Sequence, residues 1–450
     1  MTLVLDSAIF GDLFTDADVS QLFSDEAYVR AFLAVEGALA RTQGKLGIIP
    51  EAAATEISDA ADPSNIEISA LNAGTLRSGF PIIALTEQLR KKVNAENAGY
   101  VHFGATTQDI MDTAAVLQLH AATALLNDRL AEIVRELDAL AERHRTTVMA
   151  ARTHGQQALP TTFGLKVTGW LAPFLRHRER LDELAPRLLV IQFGGAAGTL
   201  AALENRGLEV MEALADELHL SVPLMPWHAQ RDNLVEFAGW LSLVTGSAAK
   251  MAQDIILLAQ TEVGEATESN EGERGGSSTM PQKTNPITSE LIVAAARTNA
   301  SLLSAMHHAQ IQEHERATHG WQMEWLALPQ MILLTGGALK HALYLAQNMQ
   351  PNPEQMRENI ARAHDLVLAE AATFALAKTM PRSDAEALVK QACALAVAEG
   401  KPLIEVVRRL TDDPAAYAGV PWQSLSDPAR YLGETQLLID RVLQRAKDLS

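Results

Sequence analysis

Apolar residues return every three, four or seven positions along several long stretches of this chain, and that spacing predicts helices. From Asp112 to Arg145, Val116, Leu119, Leu126, Leu130, Ile133, Leu137 and Leu140 form one stripe, with Glu132, Arg135, Glu136 and Glu142 outside it. The stretch Ile287 to His319 follows Pro286, a helix start signal. Gln230 to Val263 is interrupted only by Gly239 and Gly246. A further helix is expected from about Thr161 to Leu184, bent near Pro173 and stopped before Pro186. At ~1.5 Å per residue such helices reach ~50 Å. One compact monomer does not bury stripes of that length, so the pattern predicts an all-α bundle completed by other subunits.

The pattern breaks near residues 95–105 and again at Gln350-Pro351-Asn352-Pro353. Three helical domains follow: 1–100, a central long-helix domain 101–348, and 349–450 with shorter helices and a loop from about Asp412 to Pro428. Residues 264–276 carry Glu265, Glu268, Glu271 and Glu273 among glycines and are expected to form a mobile lid. The run Gly194-Gly195-Ala196-Ala197-Gly198 lacks the Lys and Ser/Thr of a phosphate loop and is expected to serve close helix packing.

Composition narrows the partners. With 55 acidic and 37 basic residues the net charge is −18, which disfavours nucleic acid and anionic membranes. An acidic chain that binds a small anion must gather cations locally, and Arg152, Lys283 and Arg316 lie in or near the chemically rich stretches. The single cysteine, Cys393, excludes an internal disulfide and a Cys-based metal site, and is expected to be buried as a small apolar residue. His307, His308, His314 and His319 show no metal-ligand pattern, so no metal is expected. No N-terminal signal pattern and no run of ~18 apolar residues is present, so a soluble cytoplasmic protein is expected.

The richest stretch is residues 275–286, GGSSTMPQKTNP. Two glycines bare the backbone N–H groups, Ser277 and Ser278 bring hydroxyls, Lys283 a cation and Asn285 an amide. Together they suit a substrate with several carboxylates.

This loop resembles the G-S-S-x-M-P-x-K-x-N-P signature of the fumarase/aspartase superfamily. Residues 101–114 (VHFGATTQDIMDTA) and 151–160 (ARTHGQQALP) are similar to its other two signature regions, the first in its adenylosuccinate-lyase form. The resemblance covers nearly the whole chain. It implies a homotetramer with a shared central helical bundle, active sites each drawn from three subunits, and no metal or organic cofactor. It implies elimination or addition beside a carboxylate, through an aci-carboxylate carbanion that donors such as Lys283 and Asn285 would stabilise. Ser277 stands at the base position, with the adjacent Ser278 as an alternative. His154 is implied as general acid, paired with Glu290, seven residues beyond Lys283. His102, Thr106, Thr107, Arg152, Thr153, Gln230 and Arg316 are the implied substrate contacts, while Asp109 and Asp112 are expected to cap and orient the following helix.

Outside these blocks, residues 188–196, 226–232, 312–316 and 324–329 look most like bacterial 3-carboxy-cis,cis-muconate cycloisomerases. Those enzymes add a substrate carboxylate across its own double bond to make a lactone. Members of that branch can carry tryptophan at the position of His154 and a small residue at that of Glu290. The lyase-type residues stand here instead, so a fumarate-releasing C–N or C–O lyase is the alternative. A non-catalytic helical scaffold is a third reading, which intact Ser277, Lys283, Asn285 and His154 oppose.

Overall fold

The computed structural model describes residues 4–269, 275–276, 279–280, 282–411, 417 and 419–449. They are overwhelmingly helical. The long helices are Asp25–Lys45, Thr107–Arg143, Phe163–Leu188, Asp232–Leu258, Ile287–Ala309 and Gly320–Asn348. Among the described residues, strands are limited to an antiparallel hairpin, β1 (Val148–Thr153) and β2 (Gln156–Thr162), and a two-residue pair, β3 (Ala266–Thr267) and β4 (Gln350–Pro351).

The predicted stripe is real, and Val116, Leu119, Leu126, Leu130, Ile133, Leu137 and Leu140 are all buried within the single chain, which corrects the expectation that this stripe needs other subunits to cover it. Its helix starts earlier than expected, at Thr107, because the Asp109 carboxylate reaches back to accept the Thr106 N–H at 3.0 Å and closes the first turn. The Phe163–Leu188 helix runs past Pro186. Proline there removes one N–H near the helix end, a smaller loss than exposing Leu184 and Leu188, which are buried. The Ile287 helix stops at Ala309, ten residues short of expectation, with no breaker in the sequence. Residues of the following loop are committed elsewhere, His314 adopts a left-handed backbone, and these contacts outweigh weak helix propensity.

The Asp232–Leu258 helix is long and apolar enough to cross a membrane by length and composition. Its Phe237, Leu241, Val244, Ala248, Met251 and Ile255 recur at steps of three and four and are fully buried, so this face serves as core.

Contacts divide the chain into two compact units. The first holds Met1–Arg129, His177–Gly246 and Ala294–Lys340; the second holds Leu130–Arg176, Ser247–Val293 and His341–Ser450. At the heart of the first lies Arg231, whose side chain is 1% exposed. It donates to Asp112 Oδ2 and Oδ1 at 2.6 and 3.0 Å and to Glu324 Oε1 and Oε2 at 2.8 and 2.6 Å. Its guanidinium carbon lies 4.6 Å from the centre of the Trp227 ring, and Trp321 Nε1 donates to Asp112 at 2.9 Å. Asp112 is therefore an ion-pair partner inside its helix, not a cap. Also in this unit, the Gly320–Asn348 helix runs through Pro329 and carries Gly336-Gly337. A Cβ on Gly337 would stand 2.1 Å from the Phe14 carbonyl oxygen, so the glycine permits backbone-to-backbone contact.

In the second unit, Ile360, Val367, Leu368, Leu376, Val389, Ala392, Leu403, Val406 and Val407 form the C-terminal core. Cys393 packs against it but is only half-buried, a correction to the expected full burial, because it sits at the edge of its helix face. Burial pushes its thiol above the ordinary cysteine range.

Two substitutions test these readings. Arg231→Ala leaves two buried carboxylates without a cation and is expected to cost about 3–5 kcal/mol in denaturant unfolding. Gly337→Ala would add about 1 kcal/mol of helix propensity on an open helix. Here the clash with Phe14 reverses the sign, and the thermal midpoint is expected to fall.

Candidate active site

In the first unit, the loop before the Thr107–Arg143 helix gathers three of the expected substrate contacts. Arg316 Nη1 donates to Thr106 Oγ1 at 2.8 Å, and its Nε to Gln108 Oε1 at 3.2 Å. Both partners are neutral, and among the described residues no carboxylate pairs with this guanidinium. His102 stands earlier in the same loop, with Nδ1 2.6 Å from Glu36 Oε1. Thr107 is the first residue of the helix and half-buried. Gln230 is exposed; its neighbour Arg231 turns inward to the ion-pair network.

The loop owes its shape to Asp109. This buried carboxylate accepts the N–H groups of Thr106, Gly194 and Gly195 at 3.0, 2.9 and 2.9 Å, and lies 2.8 Å from His228 Nε2. The glycine run thus serves as a backbone cradle for a carboxylate, not as helix packing. A Cβ on Gly194 would meet Pro226 at 2.7 Å, and Gly195 holds φ 67°, so both positions require glycine.

In the second unit, His154 and Gly155 form the two-residue loop of the β1–β2 hairpin, closed by the Thr153–Gln156 pair. Their φ values of 51° and 79° are both positive, as a type I′ hairpin loop requires. Thr153 and His154 are exposed at this tip. Arg152, expected as a substrate contact, has its charge taken up within the unit. Nη1 and Nη2 donate to Glu265 Oε2 and Oε1, each at 2.7 Å, and Asn359 Nδ2 adds a bond to Glu265 at 2.8 Å. The pair ties the hairpin to the segment that carries Glu265.

The signature loop lies in the same unit, and Ser277 and Ser278 fall outside the described residues. Asn285 folds back on Gly275: its backbone N–H and its Nδ2 donate to the Gly275 carbonyl at 2.8 and 3.1 Å. Gly275 has φ 78°, and a Cβ there would sit 2.2 Å from the Asn285 carbonyl oxygen. The expected amide contact of Asn285 is thus partly used in closing the loop. Lys283 and Glu290 are exposed, Glu290 in the first turn of the Ile287–Ala309 helix.

Part of the polar run 264–276, expected to form a mobile lid, is packed; residues 270–274 lie outside those described. Glu265 is fully buried on Arg152, and Ala266–Thr267 pair as β3 with β4. Glu268, also buried, accepts the Thr288 and Ser289 N–H groups at 3.1 and 2.7 Å and the Ser289 hydroxyl at 2.6 Å. It satisfies orphan donors at the start of the Ile287–Ala309 helix and faces the positive end of its dipole.

The roles of Glu36, Glu265, Glu268 and the Gly194–Gly195 cradle are not visible in the sequence. Glu36 had a signal: it is the lone acid in the apolar run from Phe32 to Ala40. Lys166, in the first turns of the Phe163–Leu188 helix, was also passed over. Burial pushes its ammonium below the ordinary lysine range against the pull of Asp254, with Lys250 and Arg152 adding repulsion.

Comparison with known proteins bears on this arrangement. Residues 14–298 match the family model described as Lyase. The chain is 43% identical over 438 residues to the 3-carboxy-cis,cis-muconate cycloisomerase of Pseudomonas aeruginosa, covering 97% of this chain and 95% of that one. It is similar to the crystal structure of 3-carboxy-cis,cis-muconate lactonizing enzyme from Pseudomonas putida, with a TM-score of 0.92 and 40% identity over 98% of this chain and 99% of that one. It is also similar to the crystal structure of fumarate lyase from Mesorhizobium sp. BNC1, with a TM-score of 0.90 and 41% identity over 96% and 98% of the two chains.

The Arg152–Glu265 pair offers a test within the second unit. Glu265→Gln keeps the shape and removes the charge-assisted pair, at an expected cost of about 1.5–3 kcal/mol. Amide exchange at the β1–β2 tip is expected to accelerate; an unchanged exchange rate would mean the hairpin is held by other contacts.

Proposed function

The chain belongs to the lyase family of the fumarase/aspartase superfamily, and we propose that it is a cycloisomerase acting on 3-carboxy-cis,cis-muconate or a close polycarboxylate. The observation that carries this reading is likeness over nearly the entire chain, 43% identity to a cycloisomerase, together with the unbroken signature at residues 275–286. In the proposed reaction a substrate carboxylate oxygen adds to one alkene carbon. The displaced electron pair moves to the neighbouring carbon and into its carboxylate, giving the aci-carboxylate. That carbon then takes a proton and the lactone is complete, with no atom lost.

Ser277, or its neighbour Ser278, is the proposed proton carrier: base in the eliminating direction, donor in the lactonising one. Lys283 and Asn285 are proposed to face the aci-carboxylate, where preorganised donors matter most. Thr106, Thr107 and Arg316 are proposed to hold a second carboxylate, with His102, Thr153 and Gln230 around it. Support comes from Arg316, a half-buried cation with neutral partners. Arg152 is proposed to act from behind the hairpin, fixing Thr153 and His154. The active unit is proposed to be a cytoplasmic homotetramer of three-domain subunits, with the three signature regions of one site supplied by three subunits and no metal or organic cofactor.

One observation favours a second reading. His154 and Glu290 are both present and both exposed, available to a partner subunit. In a fumarate-releasing lyase they would form the relay that protonates a leaving nitrogen or oxygen.

An ultraviolet assay separates the two. Loss of 3-carboxy-cis,cis-muconate with lactone formation is the expected result; fumarate release from N-substituted succinates with muconate inert would overturn it. Ser277→Ala is expected to abolish turnover while oligomer and thermal midpoint stay unchanged. Arg316→Ala, losing a charge-assisted contact of about 1.5–3 kcal/mol, is expected to lower kcat/KM roughly ten- to a hundredfold, mainly through KM.

A further inference from the structure

The Glu36–His102 pair has geometry that packing alone does not explain. Glu36, on the Asp25–Lys45 helix, has a side chain 0% exposed, and its Oε2 has no hydrogen-bond partner. Its Oε1 stands 2.6 Å from His102 Nδ1. His102 holds φ 65°, a left-handed backbone that costs a non-glycine residue on the order of 1 kcal/mol. The loop accepts that strain and delivers the ring to a carboxylate that no other cation pairs among the described residues. An isolated buried carboxylate is strongly disfavoured, so a proton on His102 stabilises both partners.

Three charged groups act on the ring from the elements packed against it. These are Glu36, Asp109 on the Thr107–Arg143 helix, and Arg90 on the Ile82–Arg90 helix, which also donates to the Val101 carbonyl at 3.2 Å. Burial disfavours the imidazolium; Glu36, by charge and hydrogen bond, and Asp109 favour it; Arg90 opposes it. The balance lies above the ordinary histidine range. His102 keeps 16% of its side chain exposed.

We propose that Glu36 is a positioning residue, which through Nδ1 fixes His102 as an imidazolium whose Nε2–H is offered, in the loop that carries Thr106, to a substrate carboxylate. This rests on the reading of that loop and Arg316 as a polycarboxylate site. It divides labour between the two histidines of the signature regions. His102 is a charged anchor buttressed from inside the first unit, while His154 stands exposed at a hairpin tip. Because the folded-state pKa is raised, the pair's contribution to stability is fully present below the unfolded value of about 6.5 and is lost as pH rises through the folded one. Substrate binding follows the same direction.

The test begins with the full-length wild-type protein carrying carbon-13 histidine, the His102 ring signal being assigned by its loss in His102→Asn. The expected midpoint lies above 6.5, and Glu36→Gln is expected to lower it by about one unit or more, a tenfold change in proton affinity. A wild-type midpoint at or below 6.5, or equal midpoints in the two proteins, overturns the proposal. If Glu36→Gln does not fold, the wild-type midpoint decides alone. In kinetics, the alkaline fall of kcat/KM on 3-carboxy-cis,cis-muconate is expected to move to lower pH in Glu36→Gln. Activity should recover towards wild type on acidification, and Glu36→Asp should restore part of the profile. An equal loss at every pH would indicate a merely structural residue and overturn the proposal. If wild type turns over no muconate, the proposed function fails separately, and citrate serves as a tricarboxylate probe. Its affinity is then expected to fall with rising pH in wild type and not in His102→Asn; a pH-independent wild-type affinity overturns the proposal.

Discussion

One guanidinium that never reaches water organises the first unit. Arg231 binds Asp112 from the Thr107–Arg143 helix and Glu324 from the Gly320–Asn348 helix, and itself sits immediately before the Asp232–Leu258 helix. Removing three charges from water is costly, and the arrangement survives because both carboxylates are fully hydrogen-bonded. A single cation does not balance two acids, so burial outweighs the attraction of Arg231 and holds Glu324 above the usual carboxylate range. The same network reaches the loop after Ala309, for Gln312 donates to Glu324 at 3.2 Å. Four residues on, Arg316 meets Thr106. The position of the proposed anion contact thus depends on an ion pair deep in the core.

Much of this was legible where local chemistry and global structure agree. The stripe from Val116 to Leu140 reads as one buried face because its period is that of the helix. The signature loop was legible because glycines, hydroxyls, an amide and a cation rarely crowd one turn. What resisted reading was set by contacts distant in sequence. The Gly320–Asn348 helix hid behind Pro329 and Gly336-Gly337, residues that argue against a helix until Phe14 is seen against Gly337. Arg231 sits in a segment resembling a substrate element, yet its partners lie 119 and 93 residues away. No periodicity announces an ion pair of that kind. The Gly194–Gly195 cradle failed likewise, because only the fold shows which carboxylate it receives.

The chain is strongly acidic, but the acids that matter most are inside. Asp109 is held by backbone N–H groups, Glu268 by a helix start, Glu265 by Arg152 and Asn359, and Glu36 by His102. Each fixes the backbone of a segment that carries candidate chemistry: the first signature loop, the start of the Ile287–Ala309 helix, the hairpin, the ring of His102. The arrangement also sorts the cations. Arg152 is neutralised on its own unit and becomes a support, whereas Arg316 keeps its charge among neutral partners.

Cys393 carries a consequence of another kind. It is the one thiol in 450 residues, set half-buried against the C-terminal core with its pKa pushed up by that burial. Thiolate, the reactive form, is therefore scarcer with Cys393 packed in the Arg382–Glu399 helix than it would be on a freely exposed cysteine. The rate at which a disulfide reagent modifies the native protein thus combines reaction of the half-exposed thiol with any local opening of that region. The chain carries a single-site reporter at the edge of its C-terminal core, readable without any introduced label.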